Sequence, residues 1–211
     1  MFRFKDRAHA GRHLAERLMN YAGAADTVVL GLPRGGVVVA REIADQLGLP
    51  LDIFLVRKLG VPGYEELAMG AIASGGIRVM NEEVMRQISI SESAIESVTR
   101  REEQELKRRE AAYRGNRPPL SVKGLTVILV DDGLATGATM RAAVKALRRQ
   151  EPRKLVIAVP TASPDVCDEF RAEVDEILCG MTPSPFHAVG AWYEDFSQTT
   201  DEEVQQLLKS I

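Results

Sequence analysis

The sequence contains only two cysteines, Cys167 and Cys179, and no CxxC pair. Disulfide-stapled domains and zinc sites depend on several cysteines at short, regular spacings. We therefore expect neither a disulfide framework nor a zinc cluster. With 211 residues, the chain is long enough to bury a sizeable hydrophobic core without such support.

Long apolar runs and a dominant charge of one sign are also missing. No run approaches the roughly 18 apolar residues that a membrane span needs, and the N-terminal stretch is charged throughout, unlike a signal peptide. The formal net charge is −3, so no basic field favours nucleic acid as a partner. These absences predict a cytoplasmic protein without a membrane partner, and they disfavour nucleic acid.

Short apolar segments alternate with helical patterns along most of the chain. A hairpin is expected over residues 68–80, with its turn at Gly75-Gly76. The other strand candidates are residues 27–32, 51–56, 125–130, 155–159 and 174–178. Strands that alternate with helices favour a mainly parallel sheet covered by helices on both faces. We therefore predict an α/β, Rossmann-like fold, built as one domain over residues 1–211.

Residues 91–113 (SESAIESVTRREEQELKRREAAY) interrupt this alternation. They predict one long charged helix, capped at Ser91, with a thin apolar stripe at Ile95, Val98 and Leu106. Its charges fit a solvated face with i,i+4 ion pairs, and the alternative is an arm that faces RNA or phosphate. We treat residues 81–114 as a helical insertion.

Residues 127–139, VILVDDGLATGAT, combine a buried strand, two acids and a small-residue turn that leads into a helix. In open α/β sheets, ligands bind at the carboxyl ends of the strands. The start of the helix suits a phosphate, because it presents unpaired N–H groups and a partial positive charge. Asp131 and Asp132 would repel that phosphate, but they suit sugar hydroxyls or Mg²⁺ beside it. The lysine of a Walker A loop is missing, which disfavours an ordinary nucleotide triphosphatase.

This stretch closely resembles the phosphoribosyl pyrophosphate (PRPP) motif of the type I phosphoribosyltransferases. The resemblance implies that Asp131 and Asp132 hold the ribose hydroxyls, and that residues 135–139 wrap the 5′-phosphate. It also implies Mg²⁺ as a cofactor, held by the two acids directly or through PRPP and water. The fold that it implies is the type I phosphoribosyltransferase fold, with a flexible flap and a small C-terminal hood.

By the same resemblance, GLPRGG at residues 31–36 takes the place of the pyrophosphate loop, where Arg34 and backbone N–H groups would grip a diphosphate. Arg57 and Lys58 end the second strand, where family members commonly reach pyrophosphate with a basic side chain. A solvated basic pair is the alternative there. Residues 59–80 lie where the family carries a flap that closes over PRPP and excludes water.

The region near the chain end, FHAVGAWYEDF from Phe186, contains the only tryptophan. In many purine-using relatives an aromatic residue of the hood stacks on the base, so Trp192 and Tyr193 are candidates within residues 181–211. A satellite core cluster followed by a helix capped at Thr200 is the alternative. Ala135 stands where enzymes of 6-oxopurines usually carry an acid. The acceptor therefore stays open, with a purine type favoured.

The resemblance yields four candidate catalytic residues: Asp131, Asp132, Arg34 and Lys58. The candidate substrate-binding residues are Ala135, Thr136, Gly137, Ala138, Thr139, Gly35, Gly36, Arg57, Trp192 and Tyr193. The expected function is transfer of the 5-phosphoribosyl group from PRPP to a nitrogenous base, with release of pyrophosphate. The alternatives are a regulator that senses PRPP or nucleotides without turnover, and a hydrolase that uses the acids and Mg²⁺ on a phosphorylated sugar. The partners would be PRPP and a small base, and a homodimer is compatible with the resemblance.

Overall fold

The structure, a computed structural model, describes residues 2–115 and 117–209. Residues 1, 116, 210 and 211, which fall within the predicted ranges 1–211 and 181–211, lie outside the described residues, as does the side chain of Glu66. The strands are β1 Thr27–Gly31, β2 Leu51–Ile53, β3 Val56–Val61, β4 Tyr64–Ala73, β5 Ile77–Met80, β6 Thr126–Val130, β7 Lys154–Thr161 and β8 Glu176–Met181. The helices are α1 Arg7–Arg17, α2 Gly35–Leu47, α3 Glu82–Gln87, α4 Glu92–Arg114, α5 Ala138–Arg148, α6 Pro164–Phe170 and α7 Asp201–Lys209, with short 3₁₀ helices at Met19–Tyr21 and Val189–Trp192.

The central sheet contains five parallel strands in the order β2-β1-β6-β7-β8. Every residue of β1 and β6 is buried, and the two strands pair from Thr27 opposite Thr126 to Gly31 opposite Val130. The strand order reverses here, because β2 lies on one side of β1 and β6 on the other. Ligands of such sheets bind at this reversal, outside the carboxyl ends of the strands.

Helices cover both faces of the central sheet, as predicted. Ile128 and Val130 of β6 belong to a core cluster that also contains apolar residues of α1, α2 and α7. Val127 and Leu129 belong to a second cluster, formed with α5 and α6. This alternation follows from strand geometry, in which successive side chains point to opposite faces. The predicted mainly parallel α/β fold is therefore confirmed.

Residues 56–80 form a separate antiparallel sheet, in the order β3-β4-β5, which packs between α4 and α5. The predicted hairpin is confirmed, since β4 pairs with β5 and the turn residues Gly75 and Gly76 have positive φ angles of 84° and 74°. The prediction of one strand over residues 51–56 was wrong. The backbone N–H of Leu55 donates to the Ser74 hydroxyl (3.0 Å), so the chain leaves the central sheet after β2 and joins the second sheet.

The predicted charged helix is α4, which is capped by Ser91 and packs against the second sheet and α7. On its surface Glu105 accepts hydrogen bonds from Arg108 (2.7 Å) and Arg109 (2.8 Å), and these bonds lower the pKa of Glu105 to about 2. These charges of α4 thus pair with one another, as expected for the predicted solvated face with i,i+4 ion pairs. Within residues 2–115 and 117–209, neither α4 nor a shorter helix combines the length and apolarity needed to traverse a bilayer.

Main-chain hydrogen bonds join the N-terminal segment to the hood region. The N–H of Phe4 donates to the carbonyl of Trp192 (2.9 Å), and the N–H of Glu194 donates to the carbonyl of Phe4 (2.8 Å). The Phe4 side chain is fully buried. The cap at Thr200, which belonged to the alternative interpretation of this region, is present, because the Thr200 hydroxyl accepts from the N–H of Glu203 (3.1 Å). The N-terminal segment is therefore bonded to residues 192–194 of the predicted hood.

The two cysteines lie in neighbouring elements, Cys167 in α6 and Cys179 in β8. A disulfide joins them, with the Cα atoms 6.8 Å apart. We expected these cysteines to form no disulfide framework. The structure corrects this expectation, because the two cysteines form a single disulfide bond. It forms because α6 packs against β8, which brings together two residues separated by 12 positions.

Candidate active site at the carboxyl edge of the central sheet

Two loops meet where β1 and β6 end. The N–H of Leu32 donates to the carbonyl of Val130 (2.9 Å), which ties the loop of residues 32–36 to the end of β6. A methyl group on Gly36 would lie 2.8 Å from the Cα atom of Asp131, and one on Gly35 would overlap the carboxylate of Asp132. Only glycine leaves room for this contact. The predicted pyrophosphate loop and the acidic pair therefore touch.

The acidic pair is compact and partly buried. The N–H of Asp132 donates to Oδ1 of Asp131 (2.9 Å), so the two side chains share one turn of backbone. Burial raises the pKa of Asp131 well above its usual range, and the neighbouring Asp132 carboxylate raises it further. Two carboxylates at one strand end repel each other when both are ionised, an unfavourable arrangement that Arg7 beside Asp132 offsets in part. A cationic or hydroxyl-bearing ligand would relieve it.

Residues 135–139 comprise the end of the turn after the acidic pair and the first two residues of α5. Gly137 has a φ angle of 69°, which favours glycine, and α5 begins at the next residue, Ala138. A methyl group on Gly137 would lie 2.8 Å from the Phe170 ring, so α6 supports the turn from behind. Ala135, Thr136, Ala138 and Thr139 are exposed. The turn therefore presents two hydroxyls and the N–H groups of a helix start, which suit a phosphate.

Arg34 lies directly before α2, and the peptide bond that joins it to Pro33 is cis. Nη1 of its guanidinium lies 3.9 Å from a carboxylate oxygen of Asp201, the first residue of α7. The Arg34 side chain is 37% exposed, so this ion pair is weak. Arg34 thus borders the loop that contacts the acidic pair, with its charge accessible to an anion.

Arg57 and Lys58 lie on opposite faces of the second sheet, because they are neighbours in β3. Nε of Arg57 donates to Glu102 of α4 (2.9 Å), so Arg57 is directed to the α4 side. Lys58 is in register with Ala71, which lines a cavity of about 210 Å³ between the second sheet and α5. Of the two predicted pyrophosphate contacts, Lys58 therefore lies on the α5 side of the second sheet. Arg57 lies on the opposite side, where it is paired with α4.

Arg7 was not predicted, yet it contacts the acidic pair directly. Its Nε donates to Oδ2 of Asp132 at 2.7 Å, and the two side chains are only 11% and 18% exposed. Its Nη1 donates to the carbonyl of Ser197 (2.7 Å), and its guanidinium lies 3.9 Å from the centre of the Phe196 ring. No sequence motif could have pointed to Arg7, since 125 positions separate it from Asp132.

Tyr193 and Trp192 are both largely buried, with 3% and 7% of their surfaces exposed. The Tyr193 hydroxyl donates to the main-chain carbonyl of Asp132 (2.6 Å), and burial followed by the charge of Asp132 raises the pKa of that hydroxyl. The Trp192 ring stacks on Phe186, with ring centres 6.5 Å apart. Its buried indole N–H makes no hydrogen bond within the residues that the structure describes. Tyr193 therefore supports the acidic pair from behind.

The structure gathers most of the predicted site at one edge of the central sheet. Asp131, Asp132, Gly35 and Gly36 are in contact, and residues 135–139 follow the acids directly. Arg34 borders this group, while Arg57 is engaged with α4. The arrangement places the first residues of α2 and of α5 beside two carboxylates. Such a site can hold a phosphorylated sugar with its hydroxyls on the acids.

Sequence comparisons find relatives for this site. A model of the phosphoribosyl transferase domain matches residues 3–179. A protein of Mycobacterium tuberculosis (strain H37Rv), whose name describes it as a candidate phosphoribosyl transferase, is 46% identical over 205 residues. These cover 97% of this chain and 46% of that protein. The chain therefore spans about half the length of this relative.

Two further proteins resemble the chain in sequence or in fold. The bifunctional protein PyrR of Brevibacillus brevis is 30% identical over 139 residues, which cover 54% of this chain and 78% of PyrR. The crystal structure of TT1426 from Thermus thermophilus is 45% identical, covers 99% of each chain and superposes with a TM-score of 0.88. The whole described fold is therefore shared with a protein of known structure.

Proposed function

Because this chain belongs to the phosphoribosyl transferase family, we propose that it transfers the 5-phosphoribosyl group from PRPP to a nitrogenous base and releases pyrophosphate. The observation that carries the proposal is the contact of Gly35 and Gly36 with Asp131 and Asp132, directly before the turn into α5. This contact joins a candidate diphosphate loop, a ribose site and a phosphate site.

In the proposed complex, each part of PRPP meets chemistry that suits it. The 5′-phosphate lies on residues 135–139, at the start of α5. The ribose hydroxyls donate to Asp131 and Asp132, whose carboxylates act only as acceptors when ionised. The diphosphate lies against the N–H groups of Gly35 and Gly36, within reach of Arg34, and Lys58 approaches from the second sheet.

Mg²⁺ fits the acidic pair as a shared ion. Protein-bound Mg²⁺ usually has one or two carboxylate ligands together with substrate phosphates and water. Asp131 and Asp132 supply two such carboxylates, and the described residues contain no cluster of three or more side chains able to hold a metal alone. We assign these two residues as the ones that would hold Mg²⁺, directly or through PRPP and water. When bound, the ion would neutralise charge on the diphosphate.

The reaction then needs little covalent chemistry from the protein. A ring nitrogen of the base displaces pyrophosphate from C1 of the ribose, through a transition state with positive charge on the sugar and negative charge on the leaving group. Asp131 and Asp132 orient the ribose and stabilise the positive charge that develops on it. Arg34 and Lys58 stabilise the negative charge on the departing diphosphate. We name no general base.

The acceptor is proposed to bind beside the hood, with a purine type favoured. Trp192 is the aromatic candidate, because its indole N–H is buried without a partner among the described residues and could donate to a base edge. Tyr193 is assigned a supporting role, since its hydroxyl is held by the Asp132 carbonyl. The absence of an acid at Ala135 disfavours hypoxanthine and guanine.

We also propose that residues 1–211 act as one phosphoribosyltransferase-like unit, with residues 81–114 as its helical insertion and residues 181–211 as its hood. Support comes from the packing of α4 against α7 and the second sheet. The main-chain bonds between the N-terminal segment and the hood region support it as well. Residues 59–80 would serve as the flap over PRPP.

The test is pyrophosphate release from PRPP and Mg²⁺ across a panel of purine and pyrimidine bases, with Asp132→Asn as the comparison. We expect release that depends on one base and is lost in the variant. Tight PRPP binding without release under any base would contradict turnover and favour a sensor. Release of phosphate in place of pyrophosphate would favour a hydrolase.

A further inference from the structure

Arg7 supplies a cation to the acidic pair from the first residue of α1, far from the motif in sequence. The Nε–Oδ2 distance of 2.7 Å to Asp132 is that of a charge-assisted hydrogen bond. The Arg7 and Asp132 side chains are mostly buried, so solvent screens their attraction less than it screens a surface ion pair. Asp132 therefore has one carboxylate oxygen fixed by Arg7 before any ligand arrives.

The hood region holds Arg7 itself in place. Its guanidinium covers the Phe196 ring at 3.9 Å, and its Nη1 donates to the carbonyl of Ser197 at 2.7 Å. On the other side, a methyl group on Gly35 would lie 2.6 Å from Nε of Arg7, so the backbone at Gly35, the first residue of α2, packs closely against Arg7. The Arg7 guanidinium thus lies between the hood region and the start of α2.

Two residues therefore hold Asp132 in place, Arg7 of α1 and Tyr193 of the hood region. Arg7 binds its carboxylate, and the Tyr193 hydroxyl binds its main-chain carbonyl at 2.6 Å. An acid that must accept ribose hydroxyls at a fixed angle benefits from such support, because a displacement of about 1 Å can cost on the order of 100-fold in rate.

We propose that Arg7 is a positioning residue: it holds the Asp132 carboxylate in the orientation that the ribose hydroxyls need. This inference rests on the proposed function, since it assigns Asp132 to PRPP. A purely structural role, in which Arg7 only anchors α1, would affect folding alone. The two roles differ in what they do to PRPP affinity.

The experiment compares Arg7→Gln and Arg7→Lys with Arg12→Gln as a matched control. Arg12 lies on the same helix, where it pairs with Glu42 at 3.1 Å, and its side chain is 46% exposed. For each variant we would measure PRPP affinity by calorimetry, the KM values for PRPP and base, kcat, and the thermal midpoint.

We expect Arg7→Gln to weaken PRPP binding about tenfold or more and to raise the KM for PRPP, with the KM for the base unchanged. Arg7→Lys should restore part of the affinity, because it keeps the charge but loses the planar stack on Phe196. Arg12→Gln should behave as the wild type in PRPP binding.

The possible failures are distinguishable. If the wild type binds PRPP and Arg7→Gln binds it equally well, with only a lower thermal midpoint, the positioning role is refuted while the proposed function stands. If Arg7→Lys is as impaired as Arg7→Gln, the charge of Arg7 is not what aligns Asp132, and the inference fails. If the wild type binds no PRPP, the proposed function fails first and the inference falls with it.

Discussion

Two arginine–aspartate pairs bridge distant parts of this chain, and they differ in what surrounds them. Arg114 of α4 binds Asp52 of β2 at 2.9 Å, with side-chain exposures of 5% and 11%. Arg7 binds Asp132 at 2.7 Å, with exposures of 11% and 18%. The distances and burial are similar. The neighbourhoods are not.

The Arg114–Asp52 pair forms a closed network. Nη2 of Arg114 donates to the carbonyl of Ile53 (2.6 Å) and Nη1 to Glu110 (3.2 Å), while Asp52 also accepts from the N–H of Leu120 (3.1 Å). Charges and hydrogen-bond capacity are largely matched within the protein. Such a network fixes α4 to the central sheet and offers little to a ligand.

The Arg7–Asp132 pair is open by comparison, because a second acid lies beside it. The Arg7 guanidinium places a single positive charge beside two carboxyl groups. The pKa of Asp131 remains raised, chiefly because Asp131 is buried. Burial and short distances therefore do not mark a functional site by themselves. An excess of like charge at a strand end, which the fold does not neutralise, is the more specific sign.

The largest expected effect is on the open site. Gly137→Val should reduce PRPP affinity about 1000-fold or more, which corresponds to about 4 kcal/mol. The valine disfavours the φ angle of 69° and meets the Phe170 ring, so the phosphate turn cannot keep its shape. Titration calorimetry of the folded variant measures this.

Gly48→Val is the matched control for this substitution. Gly48 has a φ angle of 63° at the end of α2 and no neighbour within 4 Å of an added methyl group, so the variant carries similar backbone strain away from the site. Equal PRPP affinities for the Gly137 and Gly48 variants would show that the turn at Gly137 does not bind the phosphate.

The closed network should show the opposite response. Asp52→Asn leaves Arg114 with less compensation in a buried setting, and we expect a loss of about 3 kcal/mol in the free energy of unfolding. PRPP affinity of the folded variant should be unchanged. Denaturant titration gives the stability, and Asp45→Asn, at an exposed i,i+4 pair with Arg41, is a control expected to change it by less than about 0.5 kcal/mol.

A loss of PRPP affinity in Asp52→Asn, with little change in stability, would contradict the contrast between the two pairs. It would mean that the Arg114 network, and not only the carboxyl edge, contributes to the site.

The smallest expected effect is a gain in stability. Asp131→Asn removes one of two adjacent like charges from a partly buried position, so the ligand-free protein should become more stable at pH 7 by roughly 1 kcal/mol. The same variant should bind PRPP more weakly. Thermal melts without PRPP and Mg²⁺ measure the first effect.

The pH dependence has a definite sign. The pKa of Asp131 is raised in the folded state, so the folded protein retains this proton more strongly than the unfolded chain. The Asp131 contribution to stability is therefore present below the ordinary aspartate pKa and is lost as the pH rises through the raised value. The Asp131→Asn variant should lack this loss of stability with rising pH. If the stability of the variant falls with pH as that of the wild type does, Asp131 is not the cause.

Local patterns were enough to predict several of the elements, including those that carry the motif residues. The apolar run before Asp131, the glycine-containing turn and the cap at Ser91 are each set by a few adjacent residues, and the structure has them in place. The strand prediction over residues 51–56 failed because Leu55 pairs with Ser74, a partner 19 positions away. Periodicity within a window cannot reveal such pairing.

Tertiary contacts decide what the sequence could not. Arg57 and Lys58 look alike in the chain, but the register of β3 sends Arg57 to Glu102 and Lys58 to the other face. Tyr193 was predicted from its position in the hood, yet its hydroxyl supports Asp132 from 61 positions away. Arg7 has no local signal at all. These assignments depend on the folded arrangement of loops and helices.

The most direct test of the account is equilibrium binding of PRPP with Mg²⁺ to the wild type and to Asp132→Asn, measured by calorimetry. Asp168→Asn, at an exposed position of α6, serves as the control for loss of a surface charge. We expect the wild type and the control to bind PRPP alike, and Asp132→Asn to bind it at least about tenfold more weakly, a difference of about 1.4 kcal/mol. Equal affinity in all three proteins would contradict the assignment of the acidic pair to the ribose.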